Sequence, residues 1–266
     1  MFDYHIHSKF SSDCNTAMET TIEKAINIGL EEICFTEHID YDYPDKDWIF
    51  EFDLNQYDRK IKEMKEKYDQ QIHIKKGVEI GVQPHLATKH KKFMEEETFD
   101  FVICSMHATE GKDLHSGEFF NGKTVEEAYG VYYQELYECI KDFKDFSVLG
   151  HIDLVKRYTK EKSKENFHDI IGDIFKEIIP EGKGIELNTS GFRYGLESGM
   201  PSTDILKLYK ECGGEIITLG SDSHVETTLA YQFTESLVLL QSIGLNYIAT
   251  YQDGEPVFHP IRTLLK

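Results

Sequence analysis

The chain has 266 residues, of which 40% are hydrophobic and 29% charged, and a formal net charge of -19. That is the composition of a globular protein long enough to bury a full core, and the negative charge argues against nucleic acid or an anionic membrane as a bulk electrostatic partner. No apolar run approaches the roughly 18 residues needed to cross a bilayer, and the start Met-Phe-Asp-Tyr-His lacks the basic and apolar regions of a signal peptide, so a cytoplasmic location is expected.

The first element is the run Phe2 to His7, read as a strand. Residues i and i+2 of a strand share a face, so His5 and His7 can reach one point. A polar loop, Ser8 to Asn15, leads to Thr16-Ala17-Met18-Glu19, which fits a capping box before a helix carrying Met18, Ile22, Ala25 and Ile26. Gly29 ends that helix. Strand two, Ile33-Cys34-Phe35, runs into Thr36-Glu37-His38. The acidic, aromatic stretch Asp40 to Asp53 is expected to be a loop, and in a functional reading a lid. Leu54 to Gln70 is an amphipathic helix with Tyr57, Ile61, Met64 and Tyr68 as its buried stripe.

Strand three, Ile72 to Ile80, carries Glu79 near its end, and Pro84 opens the next helix. Strand four, Phe99 to Ser105, is followed by His107 and by a loop with Glu110 and His115. Thr124-Val125-Glu126-Glu127 begins a long helix. Strand five, Phe146 to Leu149, ends in Gly150-His151; strand six, Gly184 to Leu187, ends in Asn188-Thr189-Ser190. A helix opened by Pro201 and Ser202 leads to strand seven, Glu215 to Leu219, which ends in Gly220-Ser221-Asp222-Ser223-His224. A last helix is expected from about Thr227 to Ile243, then a strand from Tyr247 to Tyr251. The five cysteines are widely spaced with no CxxC, so neither a disulfide framework nor a zinc knuckle is indicated.

Short strands alternating with helices argue for parallel strands joined by right-handed crossovers. Seven or eight such units suit a closed α/β barrel, with a doubly wound open sheet as the alternative. Six of the seven strands end in a candidate ligand: His5 and His7, His38, Glu79, His107, His151, then Asp222 and His224. In a parallel barrel the carboxyl-end face is where sites are built, so these residues converge. Imidazole and carboxylate without thiolate suit Zn, Mn or Fe. The donors outnumber the needs of one ion, and metals sharing a carboxylate can hold a bridging hydroxide that attacks a phosphoryl group.

The motifs His5-x-His7, Thr36-Glu37-His38, Gly77-Val78-Glu79, Ser105-Met106-His107, Gly150-His151 and Gly220-Ser221-Asp222-Ser223-His224 resemble, in order, those of the PHP (polymerase and histidinol phosphatase) superfamily, in particular its histidinol-phosphatase branch. The resemblance implies an α/β fold, a distorted (βα)7 barrel, occupying residues 1–266 as one metallophosphatase domain. It implies three divalent ions (Zn, Mn or Fe). His5, His7, Glu79 and Asp222 would hold the first; Glu79 would bridge to a second completed by His107 and His151. Asp13, His38 and His224 would take the third, with aspartate at a place where many relatives have histidine. Asp222, His224 and Glu79 would be the catalytic group, and Asp222 would also handle a proton.

The implied reaction is hydrolysis of L-histidinol phosphate, a step of histidine biosynthesis, by a metal-bridging hydroxide. Three divalent ions against Glu79, Asp222 and Asp13 leave a positive excess suited to a phosphate dianion. Arg157 and Arg193, on the loops after strands five and six, are expected to grip the phosphate, as arginines do in this branch. Asp40, Asp42, Asp45 and Glu110 are candidates for the cationic part of the substrate. The partner expected is thus a small-molecule phosphate monoester, with no nucleic acid and no membrane; a homo-oligomer stays open. Two rival readings are a PHP phosphoesterase for nucleotides or other monoesters and a metal-binding module without turnover.

Overall fold

Seven short runs pair side by side as parallel strands in chain order: β1 (Phe2–Ile6), β2 (Glu32–Ile39), β3 (His73–Gly81), β4 (Phe101–Ser105), β5 (Val148–Leu149), β6 (Gly184–Asn188) and β7 (Ile217–Gly220). They are buried along nearly their whole lengths, as strands covered on both faces must be. The two edges meet through His7 N–H to Ser223 O at 2.9 Å and Ser223 N–H to His5 O at 3.3 Å, which all but closes the barrel. The computed structural model describes residues 1–159 and 161–265.

Helices connect successive strands and turn their apolar stripes inward. Tyr57, Ile61 and Met64 of Leu54–Lys67 join Ile33, Phe35 and Ile74 in one buried cluster, where each large side chain contributes about 1.5–3 kcal/mol. A capping box starts the long helix at Thr124: Glu127 N–H donates to Thr124 Oγ1 at 3.2 Å, and Thr124 N–H to Glu127 Oε2 at 2.8 Å. The one expected at Thr16 does not form. Ala17 is the N-cap residue of Met18–Asn27, and Thr16 Oγ1 donates to His224 O at 2.9 Å instead. Thr16 therefore ties the loop after β1 to the loop after β7.

Two boundaries near the carboxyl terminus differ from expectation. The last long helix is Phe233–Ser242, not one from Thr227, because Ala230 and Gln232 take left-handed backbone conformations that no helix continues through. The stretch Tyr247–Gln252 is one arm of an antiparallel hairpin with Glu255–Pro260. Asp253 and Gly254, at φ 52° and 79°, form its two-residue turn. This hairpin covers the amino end of the barrel, where Tyr251 packs on Phe101 (4.9 Å between ring centroids) and its N–H donates to Tyr4 Oη at 2.9 Å.

β1 departs from simple alternation. Its register against β2 shifts between Asp3 and Ile6, and two adjacent residues both reach across the barrel. Tyr4 meets Phe101 of β4 at 5.0 Å, and His5 meets Glu186 of β6. A local irregularity of this kind re-aims side chains; here it lets one strand serve both the floor and the mouth. Among the described residues no helix is long and apolar enough to cross a membrane.

Candidate metal centre

Glu79, fully buried on β3, lies at the centre of the convergence. Its Oε1 accepts from Ser105 Oγ at 2.6 Å and faces His151 Nε2 at 3.0 Å and His107 Nε2 at 3.3 Å. Its Oε2 faces His5 Nε2 at 3.1 Å, His38 Nδ1 at 3.1 Å and His7 Nε2 at 3.5 Å. Asp222 Oδ1 lies 3.6 Å from both His7 Nε2 and His224 Nδ1. Asp13 Oδ2 lies 3.1 Å from His224 Nε2 and 3.7 Å from His38 Nε2. All nine residues expected as ligands thus gather at the carboxyl ends of the strands.

The cluster fits metal ions on its own chemistry. The Nε2 atoms of His5 and His7, Nδ1 of His38 and Oε2 of Glu79 are buried and make no hydrogen bond. Leaving such atoms unmatched costs on the order of 1–3 kcal/mol each, a cost that a shared cation removes. Four triads have their donor atoms within 4.8 Å of one another: His7, His38 and His224; His5, His7 and Asp222; His5, Glu79 and His151; His38, Glu79 and His107. Burial pushes the Glu79 carboxyl up, but the rings of His5, His38 and His107 outweigh it and hold the group well below the usual carboxylate range. Burial similarly opposes ionisation of Asp222, and His5 and His224 overcome it.

Behind the donors stands a second ring of polar groups that sequence reading did not find. His5 Nδ1 bonds Glu186 Oε1 at 2.6 Å, and His107 Nδ1 bonds Asp40 Oδ1 at 2.7 Å. His7 Nδ1 meets Ser11 Oγ at 3.1 Å, which donates to Glu37 Oε2 at 2.7 Å. Such partners set which ring nitrogen faces a metal. The available signal was a lone acid inside an apolar run, as in Ile185-Glu186-Leu187. Asp40 is accordingly not a free acceptor for substrate. Burial raises its carboxyl, yet His107 and His38 bring it down to about 2. Counting Asp40 and Glu186, the positive excess reckoned from three carboxylates shrinks, so an anion needs further local charge.

That charge is Arg157. Seven of the nine candidate donors, all but His5 and His7, line a cavity of about 310 Å³ whose wall also includes Leu154, Arg157, Tyr158 and Tyr194. The Arg157 guanidinium lies 3.2 Å from the Tyr194 ring centroid, with Nη1 3.9 Å from Asp222 Oδ2, and its Nε is buried without a partner. Asp222 therefore turns Oδ1 to the histidines and Oδ2 to the cavity, where Ser190 Oγ also donates to it at 3.2 Å. Its φ of 53° and that of His151, 21°, are uncommon for such residues and aim both side chains inward.

Two expected substrate residues lie elsewhere. Arg193 is not in the cavity wall: Nη1 donates to Ser221 O at 2.7 Å and Nη2 to Asp222 O at 2.9 Å, so its fork braces the loop bearing Asp222. Glu110 occupies the turn between the short strands Ala108–Thr109 and Lys112–Asp113, exposed and paired with Lys123 at 2.8 Å. Asp42 is exposed beside His85 at 3.3 Å. The loop after β2 does reach the site: Tyr43, Asp45, Trp48 and Phe50 line the cavity with Asp113 and His115, and Tyr43 Oη donates to Asp113 Oδ1 at 2.6 Å. Phe50 rests 5.0 Å from the His38 ring, and Trp48 stacks on Phe50.

Comparison with known proteins agrees with this geometry. Residues 3–190 match the PHP domain. The chain is 32% identical over 255 residues to a histidinol-phosphatase of Lactococcus lactis, covering 94% of this chain and 93% of that one. It is 30% identical to a probable histidinol-phosphatase of Clostridium acetobutylicum, covering 92% and 94%. A crystal structure of histidinol phosphate phosphatase from Lactococcus lactis, complexed with zinc, L-histidinol and phosphate, superposes with a TM-score of 0.87 at 31% identity, covering 96% of this chain and 98% of that chain. With residues 3–190 matching the family model and relatives at 30–32% identity spanning nearly the whole chain, the chain belongs to the PHP domain family.

Proposed function

We propose that the protein is a metal-dependent histidinol-phosphate phosphatase, hydrolysing L-histidinol phosphate to L-histidinol and phosphate. The observation that carries this reading is the cluster of imidazole and carboxylate groups, several with unpaired buried atoms, gathered at and beneath a cavity whose wall holds Arg157. Relatives of nearly full-length coverage named for that activity support the substrate assignment.

Three divalent ions would be held by His5, His7, Glu79 and Asp222, by Glu79, His107 and His151, and by Asp13, His38 and His224. When bound, they supply an activated water and positive charge for the phosphoryl oxygens. The chain's own residues do the rest. Arg157, flattened against Tyr194, presents a guanidinium that grips phosphoryl oxygens in a fork. Ser190 and Arg193 hold Asp222 and its loop, one through the carboxylate and the other through two carbonyls. Asp222 Oδ2, on the cavity side, takes the proton from the attacking water and returns it to the departing alkoxide as the bond between phosphorus and that oxygen breaks. Trp48 and Phe50 limit water at the mouth, and Asp45 offers a carboxylate to the cationic amine of the substrate.

The test is turnover of the metal-loaded protein on histidinol phosphate, adenosine monophosphate and p-nitrophenyl phosphate, with metal content measured on the same sample. A strong preference for histidinol phosphate is expected. Equal or better rates on the other two would replace the substrate assignment with a broader phosphoesterase.

A further inference from the structure

Glu186 lies in β6, a strand whose end supplies none of the nine donors, yet its carboxylate is buried at the heart of the site. Among the described residues no lysine or arginine pairs with it. Three donors do: His5 Nδ1 to Oε1 at 2.6 Å, and the His151 backbone N–H at 3.0 Å and Asn188 Nδ2 at 3.1 Å, both to Oε2. One glycine makes the room: a Cβ at Gly220 would overlap the carboxylate.

Each oxygen acts on a different side of Glu79. An ionised carboxylate only accepts hydrogen bonds, so Oε1 keeps the His5 proton on Nδ1 and leaves the Nε2 lone pair free. That Nε2 has no hydrogen bond and faces Glu79 Oε2 at 3.1 Å. Oε2 instead ties down the backbone of His151, whose φ of 21° is rare for a residue with a side chain. In that conformation His151 Nε2 faces Glu79 Oε1 at 3.0 Å.

We propose that Glu186 is the positioning residue that couples the two metal positions sharing Glu79, presenting His5 to one and His151 to the other, so that they fill and empty together. The inference rests on the cluster being a metal centre, as argued under the proposed function.

The test is Glu186→Leu, which keeps much of the bulk but removes both acceptor oxygens. His5 Nδ1 then loses its partner at the same time as the His151 N–H and Asn188 Nδ2 lose theirs. Zinc affinity of the metal-free protein, measured by chelator competition with bound zinc counted per chain, should fall about ten- to a hundredfold at two positions at once. The position held by Asp13, His38 and His224 should keep its affinity. Excess zinc should restore most of kcat, because the residue acts through the metals and not on the substrate. Wild-type affinity at every position, or weakening at one alone, overturns the proposal. If the variant does not fold, judged by circular dichroism, ring-nitrogen NMR of the zinc-loaded wild type decides instead. His5 should carry its proton on Nδ1 and bind through Nε2, and the opposite tautomer overturns the coupling. Zinc binding is read without turnover, so failure of the phosphatase assignment would register separately, as an inactive wild type that still holds its zinc.

Discussion

The two ends of the barrel bury polar groups on opposite terms. At the amino end, buried and half-buried groups find partners of ordinary kind: His259 Nε2 meets Thr250 Oγ1 at 2.8 Å, Tyr251 Oη donates to Ser147 O at 3.3 Å, and Tyr4 Oη donates to Glu32. At the carboxyl end, five imidazole or carboxylate atoms of the ligand cluster have no hydrogen bond at all. The amino end is sealed by a hairpin and contributes stability. The carboxyl end holds its donors apart from their natural partners and contributes chemistry. A parallel barrel divides its labour in this way because every strand delivers its last residues, and the loop behind them, to the same face.

The sharpest way to break that contrast is at Glu79. Glu79→Ala should lower kcat/KM on the order of a thousandfold or more, since it removes the oxygens facing both sides of the donor cluster, and should leave less than the full metal content by elemental analysis. Phe101→Ala, at the other end, should cost about 3–5 kcal/mol of stability. In urea melts its midpoint should drop, while kcat at a temperature where it stays folded remains near wild type. Activity losses of similar size at both ends would show that the barrel does not separate the two tasks.

Arg157→Ala should reduce kcat/KM roughly ten- to a hundredfold, equivalent to about 1.5–3 kcal/mol, with metal content unchanged. Arg193→Ala tests the corrected role: the loss should appear with a disturbed Asp222 loop and a lowered affinity for metal, not in phosphate saturation alone.

A third environment sharpens the comparison. His90, on Ala87–Glu96, is fully buried with both ring nitrogens unpartnered, and it packs between Tyr41 and Phe143 with no carboxylate of the described residues in contact. Burial therefore lowers it to about 4. The unfolded chain, with its histidine near 6.5, binds a proton that the folded chain refuses. Stability attributable to His90 is complete above about pH 6.5 and is lost as pH falls toward 4, at about 1.4 kcal/mol per unit. Subtracting the stability-versus-pH curve of His90→Phe from that of wild type should isolate this slope; a flat difference would count against it. The smallest effect belongs to Glu110→Gln, which should change kcat/KM less than about twofold, because a surface pair with Lys123 contributes little.

The sequence by itself determined where the donors are. A short apolar run followed by histidine, glutamate or aspartate is a local pattern, and in a parallel barrel local strand ends share one face whatever the loops do, so eight of the nine residues were legible before any contact was known, while Asp13, in the loop after β1, came only with the family resemblance. The carboxyl-terminal hairpin was read only as a strand from Tyr247 to Tyr251, although the Asp253-Gly254 pair was the available turn signal. Only the tertiary structure decided which atoms face which. Thr16 looks like a helix cap from its neighbours, yet its hydroxyl bonds the loop after β7. Arg157 and Arg193 sit in comparable places after successive strands, and packing against Tyr194 opens one to the cavity while two backbone carbonyls close the fork of the other. Glu186 gains its meaning from His5 and His151, which reach it from distant segments across the barrel. Residue type and strand period are properties of a few neighbours in the chain, but a hydrogen-bond partner is a property of the closed barrel.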